Sequence, residues 1–147
     1  MKHRYEFGCA WSMPASPEVL YGTLERLDLY PQWWRQVKIA ERIDDDTCRV
    51  VVKSRLPFAL RMTAHRSLAD PARGLLEARL TGDLVGYSRW RLSAETGGGT
   101  RVEFSEEVEA ARPLLRRLAF ARPAFEVNHR LMMSSGERGL RRHLLGR

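Results

Sequence analysis

The sequence predicts an α+β domain in which a curved antiparallel sheet of about seven strands surrounds a long C-terminal helix, with two short helices after the first strand. Three observations lead to this prediction. Residues 5–13 alternate in polarity, short apolar segments recur between turn residues from Val37 to Val108, and an amphipathic segment runs from Pro113 to Leu145. Neighbouring strands joined by short turns pair antiparallel, and the last segment can cover the apolar face of their sheet.

The first strand is predicted over Tyr5 to Met13, because its side chains alternate and one face carries Tyr5, Phe7, Cys9 and Trp11. Ser16 then suits an N-cap and Pro17 the first helical position, so a helix follows whose inward stripe is Leu20, Leu24 and Leu27. Pro31 prevents smooth continuation beyond Tyr30, and a second short helix is predicted over Pro31 to Arg35.

Six further strands are predicted between turn-forming segments such as Asp44–Asp46 and Gly97–Gly99. They are Val37–Ile43, Cys48–Ser54, Arg61–Leu68, Leu75–Thr81, Val85–Ala94 and Thr100–Val108. A meander is the simplest topology for strands in this order.

The terminal segment is predicted to be one amphipathic helix over Pro113 to Leu145, with a kink or break at Pro123. At about 100° per residue its apolar side carries Leu114, Leu118, Phe125, His129, Met132, Gly136 and Leu140. The opposite side carries Arg116, Arg130, Arg138 and Arg141. We therefore expect the apolar side to pack on the sheet.

Length and composition predict a single domain over residues 1–147. Cys9 and Cys48 are expected to be reduced, buried thiols, and the lack of an apolar leader or span predicts a cytoplasmic protein. The net charge is +7, and residues 112–147 hold nine basic and two acidic side chains of the 25 and 18 in the chain. This placement favours a solvated basic helix face over a nucleic-acid partner.

Several motifs occur in a recognisable order: Phe7-x-x-x-Trp11, then Tyr30-Pro31-Gln32-Trp33-Trp34, Gly86-x-x-x-Trp90-x-Leu92 and Asn128-His129-x-x-Met132-x-x-Gly136. Together with the order of elements, they resemble the START-like (SRPBCC) superfamily, in particular its polyketide cyclase/dehydrase-like branch, which is related to coenzyme Q-binding proteins. The resemblance implies a helix-grip fold with a cavity between sheet and terminal helix. It leaves the ligand open, because that superfamily includes cyclases, hydrolases, lipid carriers and simple binders.

Large aromatic and methionine side chains are the candidates for the wall of such a cavity, although at least half of them would fill the core of an ordinary domain. Trp90 and Phe104 are the strongest candidates, and Phe58 is placed by its loop where it could gate a cavity mouth. The full predicted set is Trp11, Trp34, Phe58, Trp90, Phe104, Phe125, His129, Met132 and Met133.

Two ionisable residues are candidates for chemistry. Glu106 shares the strand face of Val102, Phe104 and Val108, so it lies either at a solvated rim or inside the cavity as a proton carrier. His129 lies on the apolar side of the terminal helix, as a hydrogen-bonded core histidine or as a group that faces a ligand. The histidines show no metal-ligand spacing, so neither a metal nor a cofactor is predicted.

Three functions are consistent with these patterns. The first is the binding of a small hydrophobic ligand, such as an aromatic polyketide, an isoprenoid or a lipid-like molecule. The second is a cyclase or dehydratase that acts on a polyketide-like carbonyl substrate through His129 and Glu106. The third is a lipid or quinone carrier that contacts anionic membranes through Arg116, Arg117, Arg138, Arg141 and Arg142. No pattern specifies an oligomeric state.

Overall fold

The computed structural model describes residues 4–111, Pro113 and residues 122–146. Seven antiparallel strands form one sheet in the order β1-β7-β6-β5-β4-β3-β2. They are β1 (Arg4–Met13), β2 (Val37–Asp44), β3 (Thr47–Val52), β4 (Leu60–Asp70), β5 (Leu75–Gly82), β6 (Leu84–Ala94) and β7 (Thr100–Ala110). The predicted seven-stranded meander is confirmed, with β1 closing it against β7.

The first helix, α1 (Pro17–Leu24), begins as the sequence predicts. The Ser16 hydroxyl accepts a hydrogen bond from the Val19 N–H at 3.3 Å, and Pro17 occupies the first helical position. The helix buries Leu20, Tyr21 and Leu24, so its inward stripe lies where the leucine spacing predicts.

The second short helix is a correction to the sequence prediction, because it is a 3-10 helix over Leu27–Gln32 rather than a helix over Pro31 to Arg35. Pro31 follows Tyr30 inside a turn that is closed by the Trp33 N–H and the Tyr30 carbonyl, at 3.0 Å. Proline suits this position because its ring holds φ at the value that the turn requires. Pro31 therefore marks the middle of a turn and not a helix start.

The long terminal helix, α2, is described over Arg122–Leu145 and packs across the sheet. The described part begins at Arg122, so the predicted kink or break at Pro123 lies at the edge of the described residues and stays a prediction. The predicted helix start at Pro113 lies before the described helix. The predicted helix residues Leu114, Arg116, Arg117 and Leu118 lie outside the described residues.

The buried side of α2 is rotated slightly from the predicted one, and it consists of Met133, Gly136, Gly139, Leu140 and Leu144. The two glycines let the helix approach the Trp33–Trp34 segment closely. A methyl group added at Gly136 would lie 2.7 Å from the Trp34 indole, and one added at Gly139 would overlap the Trp33 carbonyl oxygen. Close backbone packing at these positions determines how α2 lies over the sheet.

Three tryptophans form the centre of the core beside α2. The Trp11 ring lies 5.4 Å from the Trp90 ring and 6.3 Å from the Trp34 ring, measured between centroids. The Trp90 Nε1–H donates to the Tyr30 hydroxyl at 3.0 Å, and that hydroxyl donates to the Leu24 carbonyl at 2.7 Å. Burial raises the pKa of Tyr30 far above its usual range. This chain of hydrogen bonds holds the Trp90 ring in one orientation.

Both cysteines are free thiols. Cys48 is buried and Cys9 is half-buried, and burial raises the pKa of the Cys9 thiol to about 11. Within the described residues, no helix combines the length and the apolar character that crossing a bilayer requires.

Candidate functional site

The concave face of the sheet and the inner side of α2 enclose a cavity of about 460 Å³. Its walls are mainly apolar side chains of β1 and β3 to β7, together with the first half of α2. This volume lies within the range of about 300–1,000 Å³ that is common for small-molecule sites.

One row of residues crosses the cavity floor from strand to strand. Arg66, Ala78, Ser88, Glu106 and Phe7 are consecutive partners in the registers of β4, β5, β6, β7 and β1, and all of them line the cavity. The backbones of Arg66 and Glu106 are three strand spacings of about 4.8 Å apart, which is about 14 Å. The two small side chains between them leave the space that the cavity occupies.

A carboxylate and an imidazole meet in this cavity. His129 Nε2 lies 2.8 Å from Glu106 Oε1, and the two side chains are 13% and 12% exposed. The Phe7 ring stacks on the imidazole with centroids 3.7 Å apart and an angle of 6° between the planes. The stacking and the hydrogen bond together hold the imidazole in place against β1 and β7.

This arrangement has definite chemical capabilities. The hydrogen bond offsets part of the cost of burying both polar groups, and one carboxylate oxygen, Oε2, is not used by the His129 contact. A group in this position can accept a hydrogen bond from a ligand hydroxyl or exchange a proton with a bound molecule. Apolar side chains around the pair would strengthen such an interaction by excluding water.

Asn128 lines the cavity from α2, and its side chain connects the helix to the segment after β3. Its Nδ2 donates to Ser54 Oγ at 2.9 Å, and its Oδ1 accepts from the Arg55 N–H at 3.2 Å. Both ends of the Asn128 amide are therefore engaged with this segment.

The opposite end has a charged rim. The Arg66 guanidinium donates to the Glu25 carbonyl at 3.0 Å and lies 3.8 Å from the Asp46 carboxylate. Beside it, Arg26 contacts both carboxylate oxygens of Asp28 at 3.1 and 3.0 Å, and this pairing lowers the pKa of Asp28. The cavity therefore extends from a polar rim at one end to the carboxylate–imidazole pair in its interior.

Most of the residues that the sequence suggested for the site lie on the cavity wall: Trp34, Trp90, Phe104, Glu106, Phe125, His129, Met132 and Met133. The indole N–H of Trp34 donates to the Met132 carbonyl at 3.0 Å, and that of Trp90 is engaged by Tyr30. Both indoles therefore offer a ligand apolar surface and no free donor.

Two of the predicted wall residues do not line the cavity. Trp11 lies behind it, in ring contact with Trp34 and Trp90, which separate it from the space. Phe58 is half-buried and packs against the core in the segment before β4. The position of Trp11 shows that an inward-facing side chain can pack on its neighbours instead of facing the cavity.

Sequence reasoning missed Tyr5 and Phe7 as wall residues. Both alternate with Trp11 on the inner face of β1, and this period-2 pattern was a signal that could have identified them. His65 is exposed, and its Nδ1 lies 3.0 Å from the Thr47 hydroxyl. Among the described residues, no three His, Cys, Asp or Glu side chains cluster in a way that could hold a metal ion.

Comparisons with known proteins agree with this architecture. The family model for "polyketide cyclase / dehydrase and lipid transport" matches residues 13–132. A solved structure from Thermus thermophilus is 21% identical, with a TM-score of 0.73, and the match covers 91% of this chain and 95% of that one. A conserved protein from Geobacillus kaustophilus is 9% identical, with a TM-score of 0.81 and coverages of 97% and 96%.

A third solved structure is an aromatase/cyclase from Streptomyces sp. R1128, which is 12% identical, with a TM-score of 0.66 and coverages of 92% of this chain and 96% of that one. At these identities the likeness concerns the fold. No protein with curated annotation matches the sequence.

Proposed function

Because the chain belongs to the polyketide cyclase/dehydrase and lipid transport family, we propose that it binds a small hydrophobic ligand in the cavity between the sheet and α2. The observation that carries this proposal is the 460 Å³ cavity with largely apolar walls and one polar pair in its interior. Aromatic polyketides, isoprenoids and lipid-like molecules are the ligand classes that suit such walls.

The rigidity of the wall supports this proposal. The centroids of the Trp90 and Phe104 rings lie 4.7 Å apart, and the Trp90 indole is hydrogen-bonded to the Tyr30 hydroxyl. The Trp34 indole is hydrogen-bonded to the Met132 carbonyl. A wall that is already ordered loses little conformational entropy when a ligand binds. A flat apolar ligand would therefore bind to a wall whose aromatic side chains are already ordered.

The test is a thermal-shift screen of the protein with aromatic polyketides, isoprenoid quinones, sterols and fatty acids, in parallel with Ser88→Trp. Ser88 lies on the cavity floor between Ala78 and Glu106, so an indole at this position should occupy the ligand's space. A ligand at about 100 times its dissociation constant adds about 2.7 kcal/mol of stability. In a domain of this size that raises Tm by about 5–10 °C, and we expect Ser88→Trp to abolish the shift.

Ser93→Trp is the matched control, because Ser93 is exposed on the same strand and does not line the cavity. It should retain the full shift. If no ligand class raises Tm, or if Ser88→Trp and the wild type respond equally, the cavity is not the binding site.

A second candidate function, proton transfer on a carbonyl substrate, is favoured by the Glu106–His129 geometry. A carboxylate that a buried imidazole holds in place can remove a proton from the carbon next to a carbonyl and return it, the pair acting first as base and then as acid. Cyclisation and dehydration of polyketide-like substrates both need such steps. The stacking of Phe7 on His129 makes Phe7 a positioning residue in this scheme.

This activity can be measured with 2-tetralone, an aromatic ketone, as a probe in D₂O. Glu106 would take the α-proton as the C–H bond breaks, and a deuteron from solvent would replace it, which NMR detects as loss of the α-hydrogen signal. We expect Glu106→Gln to slow the catalysed exchange by about 100-fold. Phe7→Leu should lower the rate less, with ketone affinity retained. Equal exchange rates for wild type and Glu106→Gln would eliminate the proton-transfer function and leave ligand binding intact.

A lipid or quinone carrier that contacts anionic membranes was the third possibility. Of the five arginines that suggested it, Arg116 and Arg117 lie outside the described residues. Arg141 donates to the Ser12 carbonyl at 2.7 Å, whereas Arg138 and Arg142 are exposed. The cytoplasmic location and the absence of a nucleic-acid partner stay predictions from composition.

A further inference from the structure

The outward side of α2 exposes large apolar side chains. Val127, Leu131 and Leu145 are 46%, 48% and 67% exposed, and they are three of the eight exposed large hydrophobic residues in the described part of the chain. At about 100° per residue they fall within an arc of about 40°. Over 18 residues this arc extends about 27 Å along the helix. Exposed leucines aligned in this way indicate a surface that contacts something apolar.

Arginines share this arc. Arg138 and Arg142 are exposed and fall within about 60° of the same line, and Arg130 is exposed at its edge. No described carboxylate lies within ion-pair distance of these three. The two glutamates of α2 are engaged elsewhere, since Glu126 lies 3.4 Å from Arg122 and Glu137 lies 3.6 Å from Arg141. We call Val127, Arg130, Leu131, Arg138, Arg142 and Leu145 the outer stripe.

We propose that the outer stripe docks the protein on an anionic lipid surface. The three apolar side chains enter the boundary between headgroups and acyl chains, and the arginines contact lipid phosphates at the same depth. A helix with long apolar side chains flanked by arginines, and without acidic residues between them, has the composition of an interfacial helix.

Two other occupants fit the outer stripe less well. Nucleic acid would engage the arginines but would gain little from exposed leucines placed between them. A second copy packed antiparallel about a two-fold axis would bring Arg142 of one chain near Arg130 of the other, and this like-charge contact is unfavourable. A lipid surface satisfies both the apolar and the charged members of the stripe.

The position of α2 links this surface to the cavity. The opposite side of the same helix carries Phe125, Asn128, His129, Met132 and Met133 of the cavity wall. A ligand in the cavity would then lie on the opposite side of the helix that contacts the lipid. Docking itself concerns a different face of α2 from the proposed ligand site, so each can be tested without the other.

The experiment is flotation of the intact protein with vesicles of phosphatidylcholine, with and without phosphatidylglycerol, at low salt. We expect binding to the anionic vesicles only. Arg138→Gln with Arg142→Gln should weaken it about 30-fold, at about 1 kcal/mol for each arginine near the surface. Val127→Ser with Leu131→Ser should weaken it about tenfold or more, because apolar burial is lost.

Matched controls come from residues of similar exposure on the sheet. Ile39→Ser with Ile43→Ser removes two half-exposed apolar side chains from β2, and Arg79→Gln with Arg91→Gln removes two exposed charges from β5 and β6. Both double variants should float like the wild type. Unchanged Tm values for the stripe variants would show that the fold is intact, and unchanged ligand-induced shifts would keep this test separate from that of the cavity.

Three results would overturn the docking proposal. The wild type could stay unbound with anionic vesicles at low salt, or the control pairs could lose as much binding as the stripe pairs. Alternatively, sedimentation velocity could show self-association that depends on Val127 and Leu131, in which case a second copy covers the stripe.

Discussion

Gly139→Ala is expected to lower the free energy of unfolding by about 3 kcal/mol. The new methyl group would overlap the carbonyl oxygen of Trp33, which belongs to the backbone and cannot rotate away. Either α2 or the segment after the 3-10 helix must then move, and both are packed against buried tryptophans. We expect the loss to appear as a lower midpoint in urea with an unchanged m-value.

Gly22→Ala is the matched control for this substitution. Gly22 lies inside α1, and nothing lies within 4 Å of a methyl group added there. Alanine is the better helix former by about 1 kcal/mol, so this variant should be as stable as the wild type or more stable. If Gly139→Ala were as stable as Gly22→Ala, α2 would not approach Trp33 as closely as the structure has it.

Trp90→Ala is expected to destabilise the protein by about 3–5 kcal/mol. The substitution removes a ring that contacts Trp11 and Phe104 at 5.4 and 4.7 Å, and it leaves the Tyr30 hydroxyl without its indole donor. The measurement is again urea unfolding. Tyr87→Ala, on the outward face of the same strand, is the control, and we expect it to cost about 1 kcal/mol or less.

Trp90→Phe would separate the two contributions. It keeps an aromatic ring but lacks the N–H, so it should recover most of the stability and retain the cost of one altered hydrogen bond, about 1–2 kcal/mol. A Trp90→Ala protein as stable as the Tyr87→Ala protein would contradict the central place of Trp90 in the core. The expected cost also explains why Ser88→Trp is the better variant for testing ligand binding, since it fills the cavity and removes no core contact.

The order of strands and the start of α1 could be predicted from the sequence because both depend on local signals. Alternation of polarity reports which face of a strand is buried, and Ser16 followed by Pro17 reports a helix start, whatever the rest of the chain does. The short helix after α1 could not be predicted in the same way. Pro31 suits a helix start and the middle of a turn equally well, and the choice depended on the contacts of Tyr30 and Trp33 with the core.

For the cavity wall, too, local sequence patterns predict some features, and tertiary packing decides the others. Periodicity places Phe7 and Trp11 on the same inward face of β1, and it cannot distinguish between them. In the folded protein Phe7 faces the cavity and stacks on His129, whereas Trp11 is covered by Trp34 and Trp90. Which inward side chain reaches the space depends on how far the sheet curls away from α2 at each position.

The sequence by itself determined the seven-stranded sheet, the terminal helix and the inward direction of Glu106, because each follows from the period of side chains along one element. The meeting of Glu106 with His129 was decided only by the tertiary structure. It depends on the register of β7 and on the rotation of α2 about its axis, and Gly136 and Gly139 set that rotation by allowing close contact with Trp33 and Trp34. A contact between two elements depends on how both of them pack, and the local sequence pattern of either element does not specify that packing.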